Sequence, residues 1–140
     1  MLWTFQTFVS ETGRNDVQDE IDGLSDEVLQ HFSTPIRHLA VCQSRDWHNP
    51  PANPRAKKLH SVRDIYEIRF KARNVQYRPL GFFGPGEGQF TILVWCTKKG
   101  EKYNPSRAID TAKERKTLVE SGSASTRHLK IDGENFPPSS

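Results

Sequence analysis

Residues 64–97 read DIYEIRFKARNVQYRPLGFFGPGEGQFTILVWCT, and their pattern decides the fold class. Asp64 to Lys71 alternates strictly: Tyr66, Ile68 and Phe70 face one way, and Ile65, Glu67, Arg69 and Lys71 the other, as in a strand. Ala72-Arg73-Asn74 is a tight connection into a second strand, Val75 to Phe83. Gly84-Pro85-Gly86-Glu87-Gly88 has the turn chemistry of a hairpin loop. Phe90 to Thr97 is apolar on both faces, which places it centrally in a covered sheet. Three strands joined by short turns pair antiparallel.

Working outward, Trp3 to Val9 alternates and reads as a further strand, making about four in all. Thr12-Gly13-Arg14-Asn15 is a turn, and Asp16 caps a short helix carrying Val17, Ile21 and Leu24. Ser25 caps a second helix with Asp26 and Glu27 in its first turn, where the helix dipole favours anions. Pro35 lies inside its apolar stripe and either starts a new segment or kinks the old one. Residues 46–54 form a Pro-rich connector. Behind Asn104 as cap, Pro105 opens a last helix with Ala108, Ile109, Ala112, Leu118 and Val119. Ser121 to Ser140 has few apolar residues and reads as a flexible tail beyond a single domain of residues 1–120. Helices segregated to one face of a small antiparallel sheet make the class α+β: an N-terminal helical hairpin and a C-terminal helix packed on the sheet.

The 140 residues include 34% hydrophobic and 26% charged side chains, which excludes collagen, coiled coil and wholesale disorder. The longest apolar run, Ile92 to Cys96, is far short of the roughly 20 residues a bilayer span needs. The first residues have no basic, apolar leader pattern, so a cytoplasmic address is the default. Cys42 and Cys96 are far apart, and the five histidines have no metal-ligand spacing, so neither a disulfide framework, a metal nor a cofactor is expected.

Charge is unevenly spread. Arg55 to Lys116 holds 15 Lys and Arg against 6 Asp and Glu, a net of +9, while the rest holds 5 against 11, a net of -6. A cationic field of this size concentrates polyanions, with nucleic acid the obvious class. A solvated mixed-charge surface is the plainer alternative.

The block Ile65-Tyr66-Glu67-Ile68-Arg69-Phe70, then Tyr77-Arg78-Pro79-Leu80-Gly81-Phe82-Phe83, then Lys98-Lys99 with Lys102 and Pro105, then Ala112 leading to Arg115, resembles the RelE/HigB superfamily of toxins, in particular its phage-derived HigB-like branch. That branch carries a "YELRF" strand, a "YR-x-x-YFF" strand, an apolar strand ending in "KK-x-x-K", and a helix with "A-x-x-R". Gly13 and Val17 take the places of its upstream "G-x-x-x-V". The resemblance covers roughly residues 3 to 119. It implies a small curved antiparallel sheet, RNA on its basic face, cleavage of mRNA on the ribosome, and a cognate antitoxin of helix-turn-helix type.

Metal-independent RNA cleavage has the ribose 2′-OH attack the adjacent phosphorus. Something must remove the 2′ proton, stabilise charge on the phosphate and protonate the leaving 5′ oxygen. Arg69 and Arg78 are the main phosphate ligands expected, because a guanidinium can grip phosphate with two hydrogen bonds. Lys98, Lys99 and Lys102 close the group, and Lys57, Lys58, Lys71 and Arg73 extend it as RNA-binding candidates. Glu67 or a lysine is the candidate base, and Glu67 is alternatively a cross-strand ion pair. The resemblance suggests a tyrosine role for Tyr103, which is otherwise a packing residue or a base-stacking platform. Trp95 and Phe82 are read as core. Pro79 implies an edge or a bulge in its strand. Beside the endoribonuclease reading stand a non-catalytic RNA-binding or interaction protein of the same fold and a gyrase-inhibiting sibling.

Overall fold

The computed structural model describes residues 1–48 and 55–138, with residues 49–54 of the Pro-rich connector outside them. Strand β1 (Thr4–Val9) leads into helices α1 (Asp16–Asp22) and α2 (Asp26–Ala40). The cap of α1 is Asn15 rather than Asp16: its Oδ1 accepts the Gln18 N–H at 2.9 Å. Ser25 caps α2 as its hydroxyl chemistry dictates, accepting the Val28 N–H. Helix α2 runs through Pro35 unbroken, with Pro35 and Ile36 both buried. A 3₁₀ turn (Ser44–His48) follows.

The two alternating runs each change sheet midway. Residues 64–72 yield β3 (Tyr66–Ile68) and β4 (Phe70–Ala72), split at Arg69, whose N–H makes the last bond of the β2–β3 ladder, to the Arg55 carbonyl at 2.8 Å. Residues 75–83 yield β5 (Val75–Tyr77) and β6 (Leu80–Phe83), split at Arg78-Pro79. Pro79 has no N–H to donate, and the register shifts at Leu80/Gly81, as a proline in the strand requires. The shift presses Gly81 so close to its neighbour that a Cβ there would run into the Thr91 carbonyl and the Phe90 ring.

The result is larger than the four-stranded sheet expected. With β2 (Ala56–Lys58), β7 (Gln89–Val94) and β10 (Ser125–His128), a six-stranded sheet has the order β10-β1-β7-β6-β3-β2. With β8 (Thr97–Lys99) and β9 (Lys102–Asn104), a four-stranded sheet runs β4-β5-β8-β9. All pairs are antiparallel except β1–β7, which is parallel because the chain returns through the helices.

Nor are the helices confined to one face. Phe90 and Ile92 of β7 join Phe5, Phe32, Ile36, Leu39 and Trp47 on the α1–α2 side. Leu93 joins Phe8, Leu80 and Phe82 against Ala108, Ala112 and Val119 of α3 (Ala108–Glu120) on the other. This is why β7 is apolar on both faces. Helix α3 begins behind Arg107 without a side-chain cap, because Asn104 is spent in β9. Among the described residues, no helix is long and apolar enough to cross a membrane.

Residues 121–138 do not form the expected tail. Strand β10 pairs with β1 from Gln6↔His128 to Val9↔Ser125, and β11 (Lys130–Ile131) pairs with β12 (Glu134–Asn135). Two apolar side chains suffice to anchor the segment. Leu129 is 0% exposed and its N–H donates to the Phe5 carbonyl; buried Phe136 lies under the Arg37 guanidinium. The Gln18 side chain closes the join by bonding both the N–H and the C=O of Lys130. Truncating Leu129→Ala is expected to destabilise the protein by about 2–4 kcal/mol. Urea unfolding measures this, and a loss near zero would mean that the segment lies outside the core.

Candidate nucleic-acid interface

Glu67 sits at the middle of β3, and its side chain is only 1% exposed. A carboxylate cannot be taken from water without partners. Here the Tyr103 hydroxyl donates to Oε2, while Arg69 Nε lies 3.1 Å and Arg78 Nε 3.9 Å from Oε1. Both Nε atoms are shut from solvent without a well-directed hydrogen bond, so charge rather than direction holds them. The period of two explains the meeting. Glu67 and Arg69 share a parity on β3 and the break after it, Arg78 follows β5, and Tyr103 comes from β9.

Arg78 is committed to the fold. It is 12% exposed, its Nη1 donates to the Tyr77 carbonyl at 2.7 Å and the Phe70 carbonyl at 3.2 Å, and its Nη2 to Gln76 Oε1 at 3.1 Å. Burial pulls its pKa down and Glu67 pulls it back up. The expected second phosphate clamp is thus a strut between the two sheets. Arg69 differs: at 35% exposure it reaches solvent, with Glu67 its ion-pair partner among the described residues.

The four-stranded sheet extends the cluster. Its register aligns Lys71↔Gln76, Gln76↔Lys98 and Lys98↔Tyr103, so these side chains form one row across one face, continuous with Arg69. The Lys98 ammonium stands 5.0 Å from the centre of the Tyr103 ring, occupying one face of the ring that a base would need for stacking. Lys99 and Lys102 pair with each other and take the opposite parity, on the other face. Lys57 is half-buried and pairs with Glu67, so it borders the cluster from β2. Lys58 approaches Asp64 at 3.8 Å and the Tyr66 ring, and Arg73 in the β4–β5 turn approaches Glu27 at 3.5 Å. Neither joins the row. Arg115 is a staple: it grips Asp16 with two bonds of 2.9 and 2.7 Å and donates to the Leu93 carbonyl.

Two participants escaped the sequence reading. Gln76 steers the Arg78 guanidinium, and the buried Cys96 thiol donates to the Arg78 carbonyl at 2.9 Å. The parity of Gln76 with Arg78 was a usable signal; nothing local marked Cys96. Among the described residues no group of three His, Cys, Asp or Glu side chains can hold a metal.

This environment determines which protons can move. Burial, then the bond to Glu67, raises the Tyr103 phenol far above its usual range, so it stays protonated as a donor. Burial and then the charge of Glu67 push the Cys96 thiol up to about 12. Glu67, covered and already accepting, is placed to fix its cations rather than to meet a ribose hydroxyl.

Two consequences are measurable. Tyr103→Phe removes the donor to a buried carboxylate and is expected to cost about 1–3 kcal/mol at neutral pH. Both Cys96 and Tyr103 bind their protons more tightly folded than unfolded. Their stability contribution is therefore complete below the unfolded values of 9.0 and 10.0, and is lost as pH rises beyond them. Urea unfolding from pH 8 to 11 should show stability falling above about 9, by up to about 1.4 kcal/mol per pH unit for buried Cys96. The Tyr103→Phe variant should show a shallower fall; an identical slope would contradict the assignment.

Compared with known proteins, residues 19–117 match the family model described as phage derived protein Gp49-like (DUF891). No curated protein and no solved structure matches the chain. The matched span begins in α1, ends in α3 and contains every residue of the cationic row, and on it this chain belongs to the phage-derived Gp49-like family.

Proposed function

We propose that this protein is the toxin of a type II toxin–antitoxin system, of the RelE/HigB kind, and that it cleaves mRNA on the ribosome without a metal. The observation that carries the reading is the row Lys71–Gln76–Lys98–Tyr103 continuing to Arg69, a cationic face set around a single buried carboxylate. Glu67 sets one negative charge against the two positive charges of Arg69 and Arg78, so the cluster keeps a net positive charge, and the solvent-reaching end of Arg69 is left with Lys98 and Lys71 for an external anion. A phosphate is the anion that the terminal edge of a guanidinium fits best.

In the proposed reaction the 2′ oxygen forms a bond to phosphorus as the bond to the 5′ oxygen breaks. The 2′ proton departs, and a proton reaches the leaving oxygen. Arg69 and Lys98 hold the phosphate in line and stabilise its added charge, a contribution worth about 10²–10³ in rate per well-placed donor. Glu67 orients Arg69 directly and holds Tyr103, whose ring faces Lys98; it is not the base. The proton transfers fall to the exposed lysines or to groups of the ribosome. A helix-turn-helix antitoxin is the partner this reading implies.

A second reading is favoured by one observation: Glu67, one of the candidate bases, and Tyr103 are locked to each other. It makes the chain an RNA-binding member that does not cut. Expression in growing cells separates the two. The toxin reading expects growth arrest with cleaved mRNA, abolished in an Arg69→Ala/Lys98→Ala variant that still folds by circular dichroism. RNA binding with neither arrest nor cleavage supports the non-cutting member. Arrest with intact mRNA and damaged DNA points to a gyrase inhibitor, and absence of both arrest and RNA binding overturns the proposal.

A further inference from the structure

The hairpin β8–β9 carries lysines on both faces, and β9 is the free edge of its sheet. One face bears the row described above. On the other, Lys99 and Lys102 form a cross-strand pair, and cross-strand partners project to the same side. They border a recess of about 710 Å³ that Val75, Thr97 and Asn104 of the same parity line with Asn74, and to which Gln76, Lys98 and Tyr103 of the row also contribute. Val75 is 38% exposed, one of few large aliphatic side chains left open. An apolar floor, neutral amides able to donate and accept, and two ammonium groups at the rim match a nucleoside and its phosphate.

The geometry points to a second RNA subsite in this recess, so that a single strand passes over the β9 edge and is gripped on both sides of the hairpin. This inference rests on the RNA-binding reading above. Lys98 and Arg69 would hold one phosphate on the first face, and Lys99 and Lys102 the phosphates that follow it beyond the edge. A free sheet edge makes this possible: the backbone of β9 has no neighbouring strand to block the crossing. The sharp Lys99–Lys102 turn, with Gly100 at φ +60°, keeps the hairpin narrow enough for a strand to straddle. A duplex is too stiff and too wide to follow the same path, so the subsite selects single strands.

The test uses the full chain and 2′-O-methyl RNA, which binds but cannot be cut because its 2′ oxygen is blocked. Two lengths are titrated by NMR chemical shift: a trinucleotide, which reaches one face only, and an oligomer of about eight nucleotides, within the usual span of a single-strand site. The Lys99→Ala/Lys102→Ala variant, altered only at exposed positions, should bind the oligomer roughly tenfold more weakly at about 0.1 M salt. Its plot of log affinity against log salt should be shallower by about 1.4, two phosphate contacts at about 0.7 each. Trinucleotide affinity should be unchanged, with shifts confined to the Arg69 face. An unchanged oligomer slope, or an equal loss for both lengths, would overturn the two-sided grip while leaving RNA binding intact. A wild-type chain that binds neither RNA would overturn the underlying reading as well.

Discussion

The buried carboxylate of Glu67 is the constraint from which the functional half of the molecule is built. It lies in the six-stranded sheet, yet its partners reach it from the break after β3, from the strand switch at Arg78 and from β9 of the second sheet. An ion pair of this kind adds little net stability, because desolvation offsets most of the attraction. Its effect is on geometry. Taking any partner away leaves a charge or a polar atom stranded in a dry site, so the two sheets hold one relative arrangement. That arrangement positions Arg69 at the boundary with solvent and the lysine row beside it.

The sheet switches are the backbone counterpart of this arrangement. Arg69 and Arg78 are the residues at which β3 gives way to β4 and β5 to β6, and the N–H of each makes the last bond of the ladder it is leaving, to Arg55 and to Cys96. A strand leaving one sheet for another needs a place where the ladder is interrupted, and Pro79 supplies it chemically. The interruption turns both arginine side chains toward the same point. Fold and cationic cluster therefore have a common cause in the local sequence: a charged residue at each crossing and a proline beside one of them.

Charge is partitioned along the same lines. The acidic stretch from Glu11 to Gln30 forms α1 and the start of α2, where two of its carboxylates meet Arg115 and Arg73. These contacts join the anionic helices to the cationic half without spending Arg69, Lys71 or Lys98. The basic side chains that serve structure, Arg78 and Arg115, are those with bidentate or multiple backbone bonds, which the planar guanidinium makes well.

Much of this was legible in the residues alone. A period of two put Glu67, Arg69 and Lys71 on one face, because alternation in a strand depends only on local backbone geometry. The doubly apolar run from Phe90 marked a central strand, although that strand ends at Val94 and Thr97 opens β8 in the other sheet, and the capping chemistry of Ser25 set the start of α2. Tertiary structure decided the rest. Whether Glu67 met solvent or a phenol depended on Tyr103, 36 residues away. Whether Arg78 was free depended on carbonyls offered by β4 and β5. Register, which no single strand contains, set Tyr103 beside Lys98 and Lys102 beside Lys99. Residues 121–138 looked like a tail because composition counts apolar side chains, whereas order there came from two well-seated ones and from an open β1 edge waiting for a partner. Local pattern specifies which way a side chain points; only the packed chain specifies what it meets.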